Sequence, residues 1–139
     1  MIDIKEIRIG NVLINNKDDV SCLVYKLSAD GIGSLDKELV HIYTGNNYSR
    51  MPISEDILLG LGFCKKLNDI TKERYYRLRL NGFFIDINAY SNTLGRDYGI
   101  HIDNLCSDSV LSGDIQYLHQ LQNYIYDSTK QELDITNII

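Results

Sequence analysis

The chain has 139 residues, 44% hydrophobic and 24% charged, a make-up that excludes a disordered segment and fits one domain or two small lobes sharing a core. Its net charge of −5 argues against a generic basic nucleic-acid surface and leaves room only for a local patch. Cys22, Cys64 and Cys106 are odd in number, far apart and outside any CxxC spacing, so a disulfide framework is disfavoured and three buried free thiols are expected.

The opening residues, MIDIKEIRIG, alternate apolar and charged over 4–9, carry no apolar signal core and predict a strand entering a bend at Gly10-Asn11. Val12, Leu13 and Ile14 begin a second short strand, and the polar run NNKDD over 15–19 is a turn. Strands are expected over 20–27 and 38–43, separated by a turn at Asp30, Gly31, Ile32 and Gly33. Such short strands fit an antiparallel β-meander or a partial barrel, a β-rich lobe over residues 1–50.

Residues 52–63, PISEDILLGLGF, carry the clearest helix start. Ser54 suits the N-cap, Glu55 and Asp56 place negative charge at the positive end of the helix dipole, and Ile53 can staple onto Leu58. Gly60 or Gly62 supplies the exit, leaving Ile57, Leu58 and Leu61 inward. The stretch 65–72 is polar and predicts a loop.

A hairpin follows, with strands over 75–80 and 83–88 joined by Asn81-Gly82, the preferred pair for a type I′ turn. Period-two alternation puts Tyr76, Leu78, Leu80, Phe83, Ile85 and Ile87 on one face, and Tyr75, Arg77, Arg79, Phe84, Asp86 and Asn88 on the other. After a loop over 91–97, residues 98–103 form a third strand, and 105–112 connect to a long amphipathic helix within 113–135. Ile115, Tyr117, Leu118, Leu121, Tyr124, Ile125 and Tyr126 share its apolar arc, with the amide of Gln122 in the middle. Gln116, His119, Gln120, Asn123 and Asp127 fall on the opposite side. The fold class is therefore α+β: the N-terminal meander, then helix, three-stranded antiparallel sheet and C-terminal helix over 51–139.

Two clusters are candidate binding sites. His119, Gln122 and Asn123 either line a groove for a ligand or partner, or are structural, with Gln122 tethering a neighbouring backbone and the other two at the solvent edge. Arg77 and Arg79, near Arg74 and beside Tyr75, form a basic stripe suited to a phosphate-bearing ligand or single strand. The structural alternative is cross-strand pairing of those arginines with Asp86. His41, His101 and His119 have no metal-ligand spacing; His101, Asp103 and Cys106 lie close in sequence, but the pattern is too loose for a metal or other cofactor to be expected. No nucleophile elbow, P-loop or HExxH motif occurs, and the Gly31-Ile32-Gly33 and Gly60-Leu61-Gly62 fragments are turns and caps, so no enzyme is expected.

Three blocks carry a resemblance: IKEIRIGNVL over 4–13, PISEDILLGLGF over 52–63, and IQYLHQLQNYIYDSTKQELDI over 115–135, about a third of the chain. Their order and content resemble a group of short uncharacterised proteins encoded by phages, prophages and mobile elements of gut Bacteroidetes. The shared features are an opening Ile-Gly-Asn, a Pro-Ile…Leu…Gly-Phe helix, and a closing His-Gln-Leu-Gln-Asn followed by Tyr, here His119 to Tyr124. Where a Gly-Glu-Glu-Leu exit is usual in that group, residues 128–133 read STKQEL, so a less sharp helix end is expected.

The resemblance implies a phage or mobile-element context and brings no chemistry with it. Together with small size, acidic charge and the lack of a catalytic motif, it leads to the expectation of a non-enzymatic accessory protein in the host cytoplasm, a binding module for a host protein or small phosphate-bearing ligand, with counter-defence as one role it would serve. A structural or assembly component of the virion is the alternative. Unprotected edges on the strands over 20–27 and 98–103, with tyrosine-rich faces, predict a homodimer or small homo-oligomer.

Overall fold

The computed structural model describes residues 6–16, 20–28, 31–36, 39–43, 48–70, 72, 74–92, 95–104 and 110–138. The fold is α+β; the described residues build two antiparallel five-stranded sheets and two helices.

The first sheet contains β1 (Val12–Asn15), β2 (Val20–Ser28), β3 (Gly31–Asp36), β4 (Leu39–Tyr43) and β5 (Tyr48–Ser49). Its order, β4-β3-β2-β1-β5, is a meander with β5 added beside β1. Glu6 to Gly10 is turn rather than strand: Gly10 takes a φ of +99°, and its N–H donates to the Val24 carbonyl. The expected strand residues Ile4 and Lys5 and turn residues 17–19 lie outside the described residues. Gly31, Ile32 and Gly33, expected in a turn, belong to β3; Gly31 pairs directly with Ser28, so the connection is only two residues long.

Helix α1 (Glu55–Gly60) starts as its sequence dictates. The Ser54 hydroxyl accepts from the Ile57 N–H, Leu58 is fully buried beside Ile53, and Gly62 makes the left-handed exit at φ +98°.

The second sheet has the order β10-β9-β8-β7-β6, from β6 (Cys64–Leu67), β7 (Arg74–Leu80), β8 (Phe83–Asn92), β9 (Gly95–Asn104) and β10 (Val110–Ile115). It exceeds the expected three strands because both edges were hidden in the sequence. All four β6 residues are exposed, so pairing with β7 demands no apolar alternation there. Likewise β10 takes residues expected as connector and helix start. The Asn81-Gly82 turn is not type I′, since Gly82 has positive φ and Asn81 does not. The strands predicted to be bare edges are interior: β2 lies between β1 and β3, and β9 between β8 and β10.

Helix α2 (Leu118–Thr129) is shorter than the predicted span, because the Gly113 region is held in β10. The Gln120 carboxamide oxygen accepts from the Gln116 and Tyr117 N–H groups at its start. It ends sharply without glycine: Lys130 adopts φ +58° and its N–H donates to the Tyr126 carbonyl.

Leu118, Leu121 and Ile125 join Leu58, Leu61, Phe63, Ile85 and Ile87 in the main core, together with Val12 from β1. A smaller core gathers Ile7, Leu13, Cys22, Val24 and Tyr48. Val12 and Leu13, adjacent on β1, thus point into different cores, and residues 118–133 pack against both halves of the chain. Of the three thiols expected to be buried, Cys22 is, whereas Cys64 is exposed on β6; Cys106 lies outside the described residues. Exposure of Cys64 follows from its place on an edge strand.

Candidate functional site

The His119 cluster sits on the flank of α2 that faces the 6–12 segment. Gln122 is 2% exposed and clamps that segment from both sides of its carboxamide. Its oxygen accepts from the Val12 N–H at 2.9 Å, and its nitrogen donates to the Gly10 carbonyl at 2.9 Å. Asn123 Oδ1 accepts from Asn11 Nδ2 at 2.8 Å and Arg8 Nε at 3.0 Å, while Asn123 Nδ2 donates to the Glu6 carbonyl. Arg8 completes the latch: it pairs with Glu132 and lies over the Tyr126 ring at 4.4 Å. These amides satisfy the Glu6 and Gly10 carbonyls and the Val12 N–H, while the Gly10 N–H and Asn11 carbonyl pair with Val24 of β2; this is the tethering role weighed for Gln122.

His119 is not at the solvent edge; it is fully buried. A single apolar arc read from sequence misplaces it, because α2 is covered on two sides, by the main core and by the 6–12 segment. Its Nε2 lies 3.4 Å from Glu6 Oε2, and Glu6 Oε1 accepts from Arg50 at 2.5 Å. Neither imidazole nitrogen completes a hydrogen bond among the described residues. Burial pushes the imidazole below the ordinary histidine value, against the opposing pull of Glu6, and Arg50 adds to the lowering.

The second cluster lies on the outer face of the second sheet. Tyr75, Arg77 and Arg79 alternate along β7, and the register sets Tyr75 opposite Asn88, Arg77 opposite Asp86 and Arg79 opposite Phe84. Asp86 holds Arg77 with both oxygens, at 2.7 Å from Nε and 2.9 Å from Nη2, the cross-strand pairing weighed from the sequence. The Arg77 guanidinium is also 5.6 Å from the Tyr75 ring centre and 5.3 Å from that of Phe84, and Arg79 lies 5.8 Å from Phe84. The result is a ladder of rings and guanidinium groups on an open sheet face.

Beyond β6 the chain turns back over this face. The Asn68 Oδ1 accepts from the Ile70 N–H, and the Asn68 carbonyl from the Lys72 N–H. Leu67, Asp69 and Ile70 thereby wall a groove of about 570 Å³ whose floor is Tyr75, Arg77, Asp86 and Asn88. Ile70 is 92% exposed at the lip.

The structure therefore brings Tyr75 and Arg77 together at a groove, with Arg79 farther along the face, and commits Gln122 and Asn123 to internal bonds. Asn88 and the 67–70 wall were missed as candidates. For Asn88 the signal was available, since alternation put it on the Tyr75 face; nothing in the polar run 65–72 marked the fold-back. Among the described residues no three His, Cys, Asp or Glu side chains are grouped to hold a metal. The side chains of His41, His101 and Asp103 are outside the described set, as is all of Cys106. No described helix is long and apolar enough to cross a membrane. The chain matches no protein-family model, no curated protein and no solved structure.

Proposed function

We propose that this chain is a non-enzymatic accessory protein of a phage or mobile element, a binding module that captures a small phosphate-bearing ligand in the host cell. Sequestering such a ligand would serve counter-defence in the phage or mobile-element context that the resemblance implies. The observation that carries the reading is the groove over Tyr75, Arg77 and Asn88 on the outer face of β7 and β8. Aromatic area and amide groups meet there with one basic side chain, Arg77, a mixture small-ligand sites use to bind and orient, and Arg79 stands farther along the same face. A host protein is the less favoured target, because among the described residues the large exposed hydrophobics Ile9, Leu59, Leu67 and Ile70 bring just Leu67 and Ile70 together, at the groove. Equilibrium dialysis of the full chain against inorganic phosphate and a set of phosphate monoesters tests the reading. Saturable uptake that Arg79→Glu weakens is expected; no uptake of any phosphate compound would sink it.

The virion-assembly alternative draws support from β6, whose unpaired outer edge is fully exposed. Lys66 on that edge opposes pairing with a second copy, whereas Lys65 is held by Glu55. Light scattering separates the two: a homodimer favours assembly, and a monomer of 15.9 kDa removes its support.

A further inference from the structure

We infer that the groove on the second sheet takes a nucleotide, with its base on Tyr75 and its single phosphate at Lys66. The inference rests on the ligand-binding reading above and names the ligand class. Tyr75 is half-buried and lines the groove, with the Arg77 guanidinium 5.6 Å from its ring centre. The register places Asn88 directly across from it on one side and Lys66 directly across on the other. Directly opposed residues in antiparallel strands project from the same face about 5 Å apart. One aromatic platform is thus flanked by a carboxamide and an ammonium group.

Each part matches a part of a nucleotide. An aromatic ring stacks on any base, a sequence-tolerant contact. A carboxamide offers a donor and an acceptor side by side, which fits the paired acceptor and donor on the edge of adenine. Among the described residues the Asn88 carboxamide has no hydrogen bond that would occupy it. Leu67 and Ile70 supply an apolar wall for the base's other face, and about 570 Å³ falls within the range of small-ligand sites.

Charge sets the phosphate count. Within the groove Arg77 is neutralised by its two bonds to Asp86, and Asp69 adds a negative charge. Lys66, outside the groove's lining but directly across from Tyr75, is left with Arg79, farther along the face, to meet a phosphate that projects from the groove. On a chain of net charge −5, that arrangement suits a monoester or diester and opposes a triphosphate. The same chemistry is offered by a free mononucleotide and by one residue of a single strand.

Calorimetric titration of the full chain with AMP, ATP, ribose 5-phosphate, adenosine and a short oligo-dA strand tests this. AMP is expected to bind at least about tenfold more tightly than ribose 5-phosphate, adenosine or ATP. Tyr75→Leu should weaken AMP binding about tenfold or more, within the range for loss of one stacked base. Lys66→Glu, at an exposed position on an edge strand, should weaken AMP but leave adenosine unchanged. Tighter binding of oligo-dA than of AMP would identify the single strand as the source, and equal or weaker binding the free nucleotide. Ribose 5-phosphate binding as tightly as AMP would overturn the nucleotide and leave the phosphate-ligand reading standing. No binding of any phosphate-bearing probe would overturn both.

Discussion

The α2 flank and the outer face of the second sheet hold similar side chains and put them to opposite uses. On the flank, the amides of Gln122 and Asn123 and the guanidinium of Arg8 close onto backbone and side-chain groups of residues 6–12 and onto Glu132. On the sheet, Tyr75, Arg77 and Asn88 face a groove large enough for a small molecule. The difference is set by what lies opposite. Residues 6–11 bend, leaving backbone groups without a ladder, and buried polar side chains must satisfy them. The strands β7 and β8 satisfy their own backbone groups, which frees their outward side chains for a ligand.

The largest expected effect calibrates the covered side of the comparison. Leu121→Ala, at a fully buried position of α2, should cost about 2–5 kcal/mol in a denaturant titration. Gln122→Leu should cost about 2–4 kcal/mol, since the Val12 N–H and Gly10 carbonyl both lose their partner. A Gln122→Leu chain as stable as the parent would break the contrast at its base.

His119 sharpens it through pH. Its folded pKa lies below the ordinary 6.5, so as pH falls the unfolded chain takes the proton first. Its contribution to stability is therefore complete above about pH 6.5 and is lost as pH drops from there toward the folded value, at no more than about 1.4 kcal/mol per pH unit. Subtracting the stability–pH curve of His119→Gln from that of the parent should isolate a slope of this sign. An unchanged curve would mean that the imidazole is solvated.

The sheet face should respond least in stability. Arg79→Ala and Tyr75→Leu are each expected to cost less than about 1 kcal/mol, because Arg79 is exposed and Tyr75 half-buried. Losses as large as that of Gln122→Leu would make the face structural.

Local signals carried much of the fold. Ser54 with its acidic first turn announced α1, and strict alternation over 75–88 fixed which face of the hairpin is open. The edge strands β6 and β10 were invisible, because a strand paired on one side and exposed on its faces needs no apolar period. His119 was misplaced for a related reason: helical periodicity reveals the face toward an apolar core, but not a second face covered by a polar bend. In the amide cluster only Gln122 stood out, as a polar residue inside an apolar arc. Its partners, over a hundred positions away at Gly10 and Val12, carry no sequence mark of the pairing. The groove depended on a fold-back at Asn68, a long-range consequence of where β6 ends.

Residue-resolved chemical-shift mapping of the labelled chain during addition of AMP tests the contrast between the two regions most directly. The predicted result is movement of the Lys66, Tyr75 and Asn88 amides, with those of His119, Gln122 and Asn123 unmoved. Movement confined to the α2 flank, or no movement on the sheet at saturating nucleotide, would contradict the account.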